Sequence, residues 1–133
     1  MLPPIELTQP AQNQLQQNGF TLTEAWNGGM HQNYNWTNGM LNFSLLYDRG
    51  YFDCTVGAVN QPGVSFPLIW LLRFIRNDKT FYETELKAAN RWNTLEADQY
   101  VEVFCNSQKS IAVFFSTFHE SVNSRFQAFG QEQ

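Results

Sequence analysis

Along this chain the spacing of apolar side chains changes once, and the change divides the molecule. From about residue 20 to residue 58 apolar and polar residues alternate; from residue 66 the apolar ones recur every three or four positions. Alternation buries one face of a strand, and the longer period does the same for a helix. The pattern predicts a helix at 8–18, strands at about 20–26, 32–37, 40–47 and 51–58, and helices at about 66–77, 81–91, 95–106, 109–119 and 121–129. The expected fold is α+β in one domain spanning 1–133. It is a four-stranded antiparallel meander sheet, packed on one face by a buried helix and further C-terminal helices.

The stretch YNWTNGMLNFSLLYDRGYFDCTV, residues 34–56, organises the rest. Asn38-Gly39 is a dipeptide favoured by two-residue type I′ turns, which need positive φ at both central positions. A turn there sets Thr37 opposite Met40, Trp36 opposite Leu41 and Tyr34 opposite Phe43. A second turn falls at Asp48-Arg49-Gly50. Pairing Asp48 with Tyr51 then places Tyr47 against Phe52, Leu45 against Cys54 and Phe43 against Val56. One face is apolar throughout; the other carries Asn42, Ser44, Asp48, Tyr51, Asp53 and Thr55, with Leu46 as the exception. A slip of one residue would scramble both faces. In the first strand Phe20, Leu22 and Trp26 alternate with Thr21, Thr23 and Ala25, which places Trp26 on the side of Leu22.

The helix ends are marked by chemistry. Thr8 is a candidate N-cap, Pro10 fits a first turn, and Gly19 can terminate the helix. Asn60–Gly63 ends the sheet; Ser65 and Pro67 then open FPLIWLLRFIRND, apolar all round except for Arg73 and Arg76. A helix of that kind is buried on more than one side, here between the sheet and the later helices. The arginine stems are expected on apolar surface with their heads in water. Thr80 and Glu83 have capping-box spacing, ahead of an apolar face of Tyr82, Leu86, Ala89 and Trp92. Thr94 caps the next segment, with Glu96 and Asp98 suited to the positive start of a helix. From Tyr100 to Phe129 the apolar spacing stays helical. Breaks are expected near 106–109 and 119–123, because one helix of that length is unusual in a small domain.

Composition supplies the core: 12 Phe, 5 Tyr and 4 Trp in 133 residues, each aromatic burying ~150–250 Å². Charged residues are 15% and the formal net charge is −4. No basic stripe exists to neutralise phosphates, so nucleic acid is not an expected partner. Met1-Leu2-Pro3-Pro4 has neither the basic nor the apolar region of a signal peptide. The longest apolar run, 66–75, contains Arg73 and falls short of the ~20 residues of a membrane helix. The expectation is a cytoplasmic protein with no membrane contact, and Cys54 and Cys105 as reduced core residues.

Candidate chemistry is sparse. His31 and His119 have no second His, Cys or carboxylate at ligand spacing, so no metal is expected. His119 and Glu120 are neighbours on a helix and point apart. Cys54 faces inward, as a small apolar residue rather than a nucleophile. No GxGxxG or GxxxxGK(S/T) loop occurs, and no cofactor is expected. Asp48 and Asp53 share the polar face with Tyr51, and Arg49 sits at the tip. These carboxylates face water without a cleft to perturb them. They fit an arginine-satisfied turn or a protein-contact surface better than an acid–base pair.

Two segments carry a resemblance: Tyr47-Asp48-Arg49-Gly50-Tyr51-Phe52-Asp53-Cys54 and Pro67-Leu68-Ile69-Trp70-Leu71-Leu72-Arg73-Phe74. Together they resemble a pattern in small bacterial α+β proteins, some of which look like immunity proteins of polymorphic-toxin systems. The resemblance implies a cytoplasmic, non-enzymatic protein that binds and blocks a toxin, and it carries over no site residues. The expected function is thus a protein-binding, immunity-type module, with Asp48, Arg49, Tyr51 and Asp53 as the partner-contact surface. The alternative is a small-molecule-binding protein or enzyme, with a pocket between the sheet's aromatic face and helix 66–77. A homodimer through the free sheet edge or an apolar helix face is a third arrangement open to this sequence.

Overall fold

The computed structural model describes residues 7–28, 30–89, 94–118 and 120–131. Trp92 and His119, to which the pattern assigned roles, lie outside them. The described chain is α+β. In order come α1 (Gln9–Gln17), β1 (Thr21–Asn27), β2 (His31–Thr37), β3 (Leu41–Asp48), β4 (Tyr51–Ala58), β5 (Ser65–Pro67), α2 (Leu68–Arg76), α3 (Glu83–Ala89), α4 (Ala97–Ser116) and α5 (Glu120–Gln131). The strands form one open antiparallel sheet in the order β1-β2-β3-β4-β5.

The sheet therefore has five strands rather than four. The fifth is Ser65-Phe66-Pro67, which the pattern gave to the start of a helix at 66–77. Phe66 pairs with Val56 and Pro67 with Thr55. Proline cannot donate to a ladder, but at a sheet edge no bond is lost. Pro67 then holds φ at −59 in the N-cap position of α2, and the helix begins one residue later.

The second hairpin has the expected register: Asp48 opposes Tyr51, Tyr47 opposes Phe52, Leu45 opposes Cys54 and Phe43 opposes Val56. Arg49 and Gly50 both take positive φ, 52 and 102, as a type I′ loop requires. The first hairpin is displaced. Trp36 opposes Phe43 and Tyr34 opposes Leu45, not Leu41 and Phe43. Gly39 has positive φ, 89, whereas Asn38 does not. The Asn38 side chain instead accepts from the backbone N–H groups of Met40 (2.9 Å) and Leu41 (2.8 Å). Holding those two donors moves the loop to Gly39-Met40, and partners shift by two residues. A shift of two preserves the facing, so Tyr34, Trp36, Leu41, Phe43 and Leu45 remain together and buried. Because Gly39 sits where an L side chain is strained, Gly39→Ala is expected to cost about 1–2 kcal/mol, read as a lower urea midpoint.

Behind the sheet, α2 touches β4 and β5 on one side and α4 and α5 on the other. Leu68, Ile69, Leu71 and Leu72 are buried in it. Its arginines do not simply reach for water. The Arg73 guanidinium lies over Trp70 at 5.0 Å and donates through Nε to the Phe81 carbonyl at 2.9 Å. Arg76 lies over Phe81 at 4.3 Å. The start of α3 also departs from expectation. Asp78 accepts from both the backbone N–H (3.0 Å) and the hydroxyl (2.9 Å) of Thr80. Thr80 is thereby held in a turn, and the helix waits until Glu83, after Tyr82 at φ 63.

One helix, α4, replaces the two expected at 95–106 and 109–119. It runs 20 residues, about 30 Å, and its N-cap is Glu96 rather than Thr94. The Glu96 N–H donates to the Gln99 side chain at 2.9 Å, one arm of a capping box. No break occurs near 106–109. Gln108 donates to Asn18 at the end of α1 and to the Cys105 carbonyl. At the other end of α1, the Thr8 N–H donates to Asp98 at 3.1 Å. The helix ends at Thr117, ahead of the break expected near 119–123.

Helix α4 carries two clusters of rings. At its middle Phe104 stacks on Phe43 of the sheet, with centroids 4.5 Å apart, and meets the edge of Phe20 at 5.1 Å. Toward its C-terminus Phe114 and Phe115 close on Phe66 of β5 at 5.5 and 5.9 Å. Phe126 of α5 completes that second group at 4.7 Å from Phe66.

Candidate functional site

With α2 and α4 against its apolar side, the sheet shows its other face to solvent, and the register determines which residues meet there. Asp48 opposes His31 across one ladder and Tyr51 across the next. Its carboxylate gathers three neighbours: His31 Nδ1 at 3.7 Å, Arg49 Nε at 3.8 Å and the Tyr51 hydroxyl at 3.4 Å. The structure thus brings Asp48, Arg49 and Tyr51 together. Asp53 shares their face but lies in the adjacent row, opposite Leu46, and accepts from the Cys54 N–H at 2.8 Å.

The row of Asp53 also contains one residue, Trp26, whose place the alternation did not foretell. A bulge in β1 between Leu22 and Glu24 adds one residue against β2, and beyond it every side chain changes face. Leu22 still pairs with Trp36 on the buried side, whereas Trp26 pairs with Asn33 on the open side. Trp26, Asn33, Leu46 and Asp53 therefore form one line across four strands. Trp26 is 52% exposed. Its ring meets His31 edge-on at 5.6 Å and folds over Gly28, where a Cβ would collide with it.

A signal of this reversal was present in the sequence. Continued alternation from Phe20 through Leu22 and Trp26 also puts Glu24 on the buried face. A carboxylate there would be costly without a partner, so the strand must break its period near Glu24. On the open face Glu24 instead accepts from Asn35 Nδ2 at 3.2 Å, and Ser44 donates to Asn35 Oδ1 at 2.6 Å.

The remaining candidates are structural. Cys54 and Cys105 are buried free thiols. Burial, and then the charge of Asp53, pushes the Cys54 thiol well above its ordinary range, which disfavours the nucleophilic thiolate. Burial raises Cys105 to about 11. Among the described residues no group of three or more His, Cys, Asp or Glu is placed to hold a metal ion. No helix among them is long and apolar enough to cross a membrane.

The chain matches no protein-family model, no curated protein and no solved structure. What this face can do therefore rests on its own geometry. It offers a half-exposed indole, a phenol, and carboxylates held by hydrogen bonds on a rigid sheet. Such a surface can make contact over an area, with an aromatic anchor and polar groups around it.

Proposed function

We propose that this chain is a non-enzymatic protein-binding module, and that its partner docks on the open face of the sheet. The observation that carries this reading is the line Trp26–Asn33–Leu46–Asp53 across the open face, which Trp26 joins through the β1 bulge. Aromatic anchors flanked by polar groups are characteristic of interface centres. Charge adds a preference for the partner's chemistry. Glu24, Asp48 and Asp53 lie on this face, and Arg49 is the only Lys or Arg in the first 72 residues. A basic partner surface would complement it and associate faster for that reason. The resemblance of 47–54 and 67–74 to immunity-type proteins supports the narrower reading, an inhibitor that covers a toxin in the bacterial cytoplasm.

The test is capture of a partner from the source cells by immobilised wild-type protein and three variants. Trp26→Asp and Asp53→Arg should each lose a stoichiometric partner that wild type retains. Glu85→Arg, on α3 and away from the sheet, should keep it. Equal recovery by all four proteins would remove the open face from consideration.

A further inference from the structure

On the far side of α2 from the sheet, a groove of about 400 Å³ opens between α2, α4 and α5. Its floor is Phe74, Phe114 and Phe129, with Phe74 in edge contact with the other two at 6.1 and 5.6 Å. Val113 forms an apolar wall and is 63% exposed. A single exposed valine is ordinary. This one continues an aromatic floor into solvent, which is less so. The size falls within the range of small-ligand sites, and the mixture of apolar lining with a few polar groups is typical of them.

The rim is cationic. Arg125 lines the groove and makes no ion pair with any described residue. Lys79 holds its ammonium 5.2 Å from the Phe129 ring. Lys109 is exposed on α4 four residues before Val113, a spacing that makes the two neighbours on one helix face. Asn77 and Ser110 are the other polar lining residues among those described, which include no Asp or Glu. Asp78, next to Asn77 in the chain, is already engaged by Thr80.

We propose that this groove binds a small amphiphile with an alkyl body and an anionic head, the body on Phe74, Phe114, Phe129 and Val113 and the head at Arg125. A carboxylate suits Arg125 because a guanidinium can donate two parallel hydrogen bonds to it. This site is separate from the open sheet face, and its occupancy does not depend on a protein partner.

Titration with decanoate, decanol and decyltrimethylammonium, below their micellar concentrations and followed by NMR shifts of the Asn77 and Ser110 backbone amides, tests it. Decanoate should bind, and the neutral and cationic analogues should bind roughly tenfold or more weakly. Arg125→Gln should erase that preference, while Val113→Asp should abolish binding with an unchanged thermal midpoint, since Val113 supports no core. Equal binding of the three probes, or decanoate binding that survives Val113→Asp, would overturn the proposal. So would a failure of decanoate accompanied by binding of a glutamate-bearing amphipathic peptide, which would give the groove to a protein segment. Dimerisation lost in Val113→Asp would likewise overturn it, in favour of a second copy of the chain.

Discussion

Replacing Phe104 by alanine is expected to destabilise the protein by about 3–5 kcal/mol, the largest effect of any single truncation considered for this chain. Phe104 is fully buried and is where α4 meets the sheet, stacked on Phe43 and edge-on to Phe20. Its removal leaves a void that neither a rigid helix nor a paired strand can collapse into, so the cavity cost adds to the lost transfer energy. Phe→Ala at this site would consume much of the roughly 5–15 kcal/mol typical of a whole domain. Urea unfolding should show a much lower midpoint with little change in slope. A loss below about 1 kcal/mol, the scale of an exposed substitution, would mean that Phe104 does not couple the two layers.

Alkaline pH is the second strong expectation. Three buried acids hold their protons tightly in the folded chain. Cys54 is raised by burial and then by the charge of Asp53. Tyr100 is raised chiefly by burial, against a hydrogen bond that its hydroxyl accepts from the Leu95 N–H. Cys105 is raised by burial, to about 11. In the unfolded chain the thiols ionise near 8.5 and the phenol near 10. As pH rises past about 8.5 the unfolded state therefore loses protons that the folded state keeps, and stability must fall. Each unit of difference is worth about 1.4 kcal/mol. The urea midpoint should decline steadily from pH 9 to 11, and the double variant Cys54→Ala/Cys105→Ala should decline less steeply. A flat profile over that window would show that these groups reach solvent.

The parts of this architecture that depend on period were legible from the residues. The 43–56 ladder follows from alternation, because any odd slip would bury Asp53, and its tip at Arg49-Gly50 follows from turn chemistry. Local exceptions were harder to read. Asn38-Gly39 promised one loop, but the Asn38 side chain took two backbone donors and moved the loop by a residue. Ser65-Phe66-Pro67 looked like a helix start, yet Phe66 had a better use as the centre of a ring cluster formed largely by residues far along the chain. Within the polar run at 106–109, Gln108 donates to Asn18, 90 residues away in sequence, a contact that no local reading could supply. At the open face, Asp48, Arg49, Tyr51 and Asp53 were evident from alternation. Trp26 was not, because the bulge in β1 changes its facing without leaving a composition signal. Only the misplaced charge of Glu24 gave it away.

The order of these elements also matters while the chain is being made. The five strands, with Tyr34, Phe43 and Leu45 on one side, are complete by residue 67, but Phe104 of α4 follows only 37 residues later. At about 5–20 residues per second, a nascent sheet waits several seconds on the ribosome with its oily side uncovered. The helix that finishes the fold thus arrives late, and the interval before it is when a chaperone would have most to do.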